Sequence, residues 1–189
     1  MSNKPVAAGK SSYHLIDADK ILPLLLPGYG GTLLDLACGP GDYSLAMADR
    51  KLTSGRVVAI DLWAQGIAAL RAKTAERGIV NLEANVADIR TPLPLSQKSI
   101  DSSLLANVLH DLEQEEQGQV LAHLTKVLKG GGLLNIIEFK KIAEGPGPPL
   151  PIRLAESDID GLVADYGFQK VQSTDIGRYN YLVQYRLNQ

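Results

Sequence analysis

Cysteine is nearly absent from this 189-residue sequence: Cys38 stands alone, so no internal disulfide framework is available. Histidine is scarce too. His14, His110 and His123 are widely spaced, which argues against a structural zinc site, and no metal is expected. Positive charge is not in excess, because 19 Lys and Arg stand against 21 Asp and Glu, for a net charge of −2. Phosphate neutralisation dominates nucleic-acid affinity, so no nucleic-acid partner is expected. Long apolar runs are missing as well. The greasiest stretch, ILPLLLPG at 21–28, is too short to span a bilayer and is cut by two prolines. The first ten residues lack the apolar centre of a secretory signal. These absences predict a soluble, cytoplasmic chain with no membrane partner.

What is present is an ordinary globular composition, 45% hydrophobic and 21% charged, and the length suits one full core rather than two. A polar leader over 1–15 precedes a domain over 16–189. A helix is expected from about Asp17 to Leu26, stopped at Pro27-Gly28. Strands are expected at 32–37, 56–61, 81–87, 100–107 and 133–139, and helices at 43–51, 62–78 (stopped by Gly78) and 113–129 (stopped by Gly130-Gly131-Gly132). Apolar-run strands alternating with helices imply a parallel sheet covered on both faces, which right-handed crossovers make doubly wound. Ser157 with Asp160 reads as a capping box opening a helix that ends at Gly167. The last two strands, 168–176 and 179–187, are separated only by Gly177-Arg178. So short a link excludes a parallel crossover and demands an antiparallel hairpin. The prediction is an α/β, mostly parallel, seven-stranded sheet with an antiparallel C-terminal hairpin.

The segment LLDLACGPGDYS (33–44) turns sharply out of the first strand, and Asp61 closes the second strand 20 positions after Gly41. That spacing lets an acid reach the ribose of a nucleotide lying over the glycine loop. A Gly-Pro-Gly turn alone need not bind anything; Asp35, Asp61 and the alternation around it make it a ligand loop. A dinucleotide would call for a third glycine at position 44, which is Ser44. Asp35 and Asp42 would repel a pyrophosphate and suit a positively charged adenosine such as S-adenosylmethionine (SAM).

These residues resemble the motifs of class I SAM-dependent methyltransferases. LLDLACGPGDYS is similar to their first motif, VVAIDLW (57–63) to their second, and VADI (86–89) to the segment after the third strand. SIDSSLLANVLHDL (99–112) is similar to their fourth-strand motif and LTKVLKGGGLLNIIEF (124–139) to their helix–glycine–strand unit. The hairpin matches their seventh-strand signature, so the likeness covers about residues 31 to 187. It points to small bacterial enzymes grouped with quinone and menaquinone C-methyltransferases. Two departures are Ala37, where glycine is usual, and Gly131 in the usual Lys-Pro-Gly-Gly turn.

The resemblance implies SAM as cofactor and S-adenosylhomocysteine as product. It implies Gly39, Gly41 and Ala37 under the methionine part, Asp35 toward its ammonium, and Asp61 accepting from both ribose hydroxyls. Leu62 would pack on the adenine, Asp88 accept from its amino group, and Ile89 donate its backbone N–H to the ring. Asn107 and Val108 would lie beneath the sulfonium, and Tyr13 of the leader would touch the cofactor. His110, just past the fourth strand, is the candidate general base, while a histidine at this place in the family is often a packing or SAM-shelf residue. Glu138 and Lys140 are expected to face the acceptor pocket, with GPGPPLPIR (145–153) as its rim. Asn107-Val108-Leu109-His110 is not the Asn/Asp-Pro-Pro-aromatic box of amine-directed relatives. A paired-glutamate hairpin and multiple thiols are also absent, which leaves a small, partly apolar metabolite as acceptor, handled by a monomer or homodimer. Two rivals stay open: a catalytically silent SAM-binding regulatory module, and an NAD- or nucleotide-binding enzyme on a similar sheet.

Overall fold

The computed structural model describes residues 9–25, 30–49 and 55–189. Seven strands form one sheet: β1 (Thr32–Leu36), β2 (Arg56–Asp61), β3 (Leu82–Val86), β4 (Ile100–Ala106), β5 (Leu128–Phe139), β6 (Phe168–Asp175) and β7 (Asn180–Leu187). Their order is β3-β2-β1-β4-β5-β7-β6. All neighbours run parallel except β5–β7 and β6–β7, so the hairpin inserts β7 against β5 and leaves β6 at the edge. Among the described residues five helices accompany them: α1 (Ala18–Leu25), α2 (Asp42–Asp49), α3 (Ala64–Glu76), α4 (Gln114–Val127) and α5 (Glu156–Ala164).

Alternation along each strand divides the core. Leu34 and Leu36 of β1, Leu105 of β4, Ile136 of β5 and Val183 of β7 pack with Val120, Leu121 and Leu124 of α4 and Ile159 and Val163 of α5. Their neighbours Leu33, Leu104, Ile137 and Leu182 pack with Ile21, Leu22 and Leu25 of α1 and Tyr43 and Met47 of α2. Ile67 and Leu70 of α3 cover Ala59 and Ala84. No helix bridges β3 and β4; residues 87–99 run irregularly, and Ile89, Leu93 and Leu95 fill the first core from that loop.

A buried polar cluster ties α1 to the sheet. Ser102 Oγ donates to the Leu25 carbonyl at 2.6 Å and Gln184 Nε2 to the Leu24 carbonyl at 2.9 Å. Asn135 lies between them, donating to Ser102 Oγ at 2.7 Å and accepting from Gln184 at 2.5 Å. Helix-end carbonyls that would otherwise be orphaned thus find side-chain donors.

Two expectations need correction. α5 begins at Glu156, not after Ser157, because the Asp158 carboxylate reaches back to the Ala155 N–H at 2.7 Å. Asp160 instead accepts from Tyr185 Oη at 2.6 Å. The three glycines after α4 do not end in a turn ahead of β5. Leu128 already pairs with Ile100, and the glycines are accommodated where the register shifts before Ser102 meets Leu133. α5 also ends at Ala164, three residues short of Gly167, and the other helix boundaries lie within two residues of expectation where described. The stop at Pro27-Gly28 and positions 50–51 lie outside the described residues. Among the described residues, no helix is long and apolar enough to cross a membrane.

Candidate active site

The strand order reverses between β1 and β4, and at such a switch point the loops leaving the carboxyl ends of the strands diverge, the place where open α/β sheets form a ligand crevice. From β1 the chain enters Ala37, Gly39 and Gly41, all with left-handed backbones at φ 54, 55 and 79°. Glycine adopts this conformation freely, whereas an L side chain costs about 1–2 kcal/mol there. The two glycines serve different ends. A Cβ on Gly41 would sit 2.5 Å from Leu70 Cδ1, so that glycine admits α3. A Cβ on Gly39 would meet only the Lys10 carbonyl, at 3.4 Å. Gly39 is the less crowded of the two, in ordinary contact with the leader rather than pressed against the core.

Asp61, buried at the end of β2, holds this loop. Its Oδ2 accepts from the Gly39 N–H at 2.7 Å and its Oδ1 from the Trp63 N–H at 2.6 Å. A carboxylate offers about four lone-pair sites, so each oxygen keeps capacity for a ligand hydroxyl. Next to it Leu62 is 42% exposed, an uncovered apolar side chain at the crevice. Asp35 lies beneath the loop, 1% exposed, and accepts from Ser44 Oγ at 2.5 Å. Burial pushes its carboxyl up to about 7 against the Ser44 hydrogen bond, with the charges of Asp61 and Asp42 adding to the rise. Burial, with the charges of Asp35 and Asp61, raises the Cys38 thiol far beyond reactivity.

The leader is tied down around Ser12, while Gly9, Lys10 and His14 stay exposed. The Lys10 carbonyl passes over Gly39, Ser12 is buried, and its Oγ shares a 2.9 Å hydrogen bond with Tyr43 Oη. Asn107 Nδ2 also donates to Ser12 Oγ. Tyr13 stacks edge-on against Tyr43, ring centres 5.2 Å apart. Asp17 N–H donates to the Ile176 carbonyl beyond β6 at 2.9 Å. Sequence reasoning singled out Tyr13 from the cluster Ser11–His14; Ser12 makes the polar ties.

Across the crevice, Asn107 leaves β4 with φ 57°, and its Oδ1 accepts from Asn180 Nδ2 at 3.2 Å. Val108 and Ile89 are buried in the first core. His110 sits in a single 3-10 turn (Leu109–Asp111) against Glu138 of β5, Nδ1 to Oε2 2.7 Å. Asp88 is engaged by Arg90, which grips both carboxylate oxygens and reaches Glu116 with Nη1 at 2.8 Å. Those hydrogen bonds hold its carboxyl below the usual range.

Lys140 does not join Glu138 at the crevice. Its ammonium pairs with Asp175 at 2.7 Å and donates to the Gly177 carbonyl at 2.8 Å, which fastens the β6–β7 turn. The residue missed here is Arg153. Buried, it donates to the carbonyls of Pro148, Lys140, Ile142 and Pro146 at 2.9–3.1 Å and lies 5.7 Å above the Phe139 ring. The proline-rich connection is thereby wrapped around one guanidinium. Its only sequence signal was an arginine closing a run of prolines and glycines.

A family model described as a methyltransferase domain matches residues 33–132. The chain belongs to this family, the class I SAM-dependent methyltransferases. The methyltransferase is 28% identical over 132 residues to the ubiquinone/menaquinone biosynthesis C-methyltransferase UbiE of Hydrogenovibrio crunogenus, covering 69% of this chain and 48% of the relative. UbiE of Bordetella parapertussis is 30% identical over 119 residues, covering 63% and 45%. The chain spans less than half the length of these curated relatives. Among solved structures, a SAM-dependent methyltransferase from Aquifex aeolicus superposes with a TM-score of 0.84 at 25% identity, over 94% of this chain and 93% of that one. The [4+2]-cyclase SpnF, at 19% identity and TM-score 0.75, covering 90% and 81%, shares the fold alone. A shared sheet does not dictate the chemistry, so the site itself must carry the argument.

Proposed function

We propose that this methyltransferase binds SAM over Gly39 and directs its methyl group to a small, partly apolar acceptor by in-line displacement. One observation carries the reading: three carboxylates, Asp35, Asp42 and Asp61, lie close enough to act on one another beside a glycine loop whose Gly39 faces only the leader's backbone. Such a loop repels pyrophosphate and suits a ligand bearing an ammonium and a sulfonium. SAM supplies an already activated methyl group; the chain supplies alignment and exclusion of water.

In this reading Asp61 uses its remaining lone pairs for the ribose hydroxyls while its backbone bonds hold the loop. Leu62 offers its exposed side chain to the adenine face, and Ile89 its backbone N–H to the ring. Asp88 takes the adenine amino group alongside Arg90. Asp35 lies toward the ammonium, and Asn107 and Val108 floor the sulfonium position. The leader, tied down through Ser12 with Tyr13 beside it, closes the cofactor from above. His110 faces the acceptor. Because the curated relatives are named for quinone biosynthesis, ring compounds are the first acceptors to try.

The test is a thermal-shift series with SAM, S-adenosylhomocysteine and NAD, followed by an assay of S-adenosylhomocysteine release. The two adenosyl ligands should raise Tm and NAD should not. A shift with NAD alone would sink the proposal, and binding without release from any acceptor would leave a silent SAM-binding module.

The two glycines give a separable prediction. Gly41→Ala combines a strained φ with overlap on Leu70 and should cost about 2–4 kcal/mol, lowering Tm by roughly 5–15 °C. Gly39→Ala should cost only about 1–2 kcal/mol but weaken S-adenosylhomocysteine by at least about tenfold, the equivalent of ~1.4 kcal/mol. Scanning calorimetry and isothermal titration check both; equal effects on stability and affinity would refute the division of roles.

A further inference from the structure

His110 is built into its position rather than displayed on a surface. Its side chain is 5% exposed and that of Glu138 is 0% exposed. Three N–H groups converge on the Glu138 carboxylate: His110 Nδ1 at 2.7 Å, the His110 backbone N–H at 3.4 Å and the Phe139 backbone N–H at 3.3 Å. Two backbone donors mark the Glu138 carboxylate as the acceptor, which sets the neutral imidazole with its proton on Nδ1 and its lone pair on Nε2. The nearest acid to Nε2 is Asp111 Oδ1, 3.6 Å away and beyond hydrogen-bond length. The groups facing this ring are therefore Glu138 from β5, Asp111 from its own turn, Arg153 from the segment before α5, and the edge of Phe139. Burial opposes a charge on the ring, but the hydrogen bond and charge of Glu138, with Asp111, outweigh it and hold His110 above the ordinary histidine value.

We propose that Glu138 is a positioning residue that presents Nε2 of His110 as a base, and that the acceptor is therefore a compound that loses a proton on methylation, a phenol- or enol-like O–H or activated C–H. The inference deepens the proposed function and rests on it. The acceptor oxygen or carbon bonds the methyl carbon, and the electron pair of the broken C–S bond stays on the departing thioether sulfur. The acceptor proton passes to Nε2, and the imidazolium so formed lies against the buried carboxylate until water takes the proton. A thioether or tertiary amine has no proton to give and would gain nothing from this pair.

The first test needs no turnover. In the full chain with S-adenosylhomocysteine bound and histidine labelled with nitrogen-15, His110 should show the Nδ1–H tautomer and titrate above an ordinary histidine. Glu138→Gln, nearly isosteric, should lower that midpoint by a unit or more while leaving S-adenosylhomocysteine affinity within about twofold. The second test follows S-adenosylhomocysteine release from SAM with a panel of phenols, catechols and 1,3-diketones. Expected kcat/KM rises with pH through the His110 midpoint. E138Q shifts that limb to lower pH and lowers kcat, E138D partly restores it, and His110→Asn loses about 100-fold or more, within the range for general-base catalysis. An Nε2–H tautomer, or an unmoved midpoint in E138Q, overturns the dyad. No release from the panel, or release insensitive to H110N, overturns the acceptor class. If the wild-type chain fails to bind S-adenosylhomocysteine at all, the cofactor reading fails instead.

Discussion

Asp61→Ala should weaken S-adenosylhomocysteine by roughly 10- to 100-fold, because hydrogen bonds to a charged group contribute about 1.5–3 kcal/mol. The geometry adds a second consequence that ligand contacts alone would not give. Asp61 accepts from Gly39 and Trp63 at 2.7 and 2.6 Å, so truncation strips two part-buried backbone donors of their partner and releases the loop from α3. Tm of the ligand-free protein should fall by roughly 3–8 °C as well. Asp61→Asn should not rescue it, since an amide sets a donor against one of those N–H groups. Calorimetry on the free and ligated variants reads both effects. An affinity within threefold of wild type would show that the acid serves the loop and not the ligand.

The reverse trade is expected at Asp35. With its carboxyl pushed up to about 7 by burial, the folded chain holds a proton that the unfolded chain has already lost. The contribution of Asp35 to stability is therefore full below the unfolded value of 3.8 and is lost as pH rises toward 7. At about 1.4 kcal/mol per pKa unit, the ionised form costs the free protein on the order of 4 kcal/mol. Asp35→Asn abolishes that penalty and should raise Tm at pH 8 by roughly 5–10 °C, if about half of it is recovered. The same substitution should flatten the decline between pH 4 and 7. Under the proposed function it also removes a negative charge facing the ammonium, so affinity should fall about tenfold and lose its rise with pH through 7. A variant that is less stable than wild type at pH 8 would contradict the burial argument.

Much of the fold was legible because its signals are local. Apolar runs such as Leu33-Leu34 and Val57-Val58 demand burial on both faces, and the two-residue link at Gly177-Arg178 permits only a hairpin. The errors also have local causes. Ser157 looked the better cap, yet the Asp158 carboxylate satisfies the Ala155 N–H whatever side chain the cap residue carries. Three glycines read as a turn because the pairing of Leu128 with Ile100 across the irregularity is not written in either segment. The crevice was half legible. Asp35, Gly39 and Asp61 lie within one strand–turn–helix–strand span whose spacing is informative. The ties of Ser12 to Asn107, Asn180 to Asn107 and His110 to Glu138 join residues 95, 73 and 28 positions apart. Such contacts depend on which strands become neighbours, which no local pattern encodes. Ser44 carried a usable hint: it excluded a dinucleotide as the absent third glycine, and the same hydroxyl is the partner of Asp35.

The insertion of β7 between β5 and β6 has a bearing on how the molecule comes into being on the ribosome. Strand β5 presents an unpaired edge carrying Leu134, Ile136 and Ile137 until residues 180–187 have emerged from the exit tunnel. Between completion of β5 and arrival of β7 the nascent chain consequently carries a sticky flank available to other chains. Translation rate and chaperone supply, more than final stability, should govern how much of it reaches the native state.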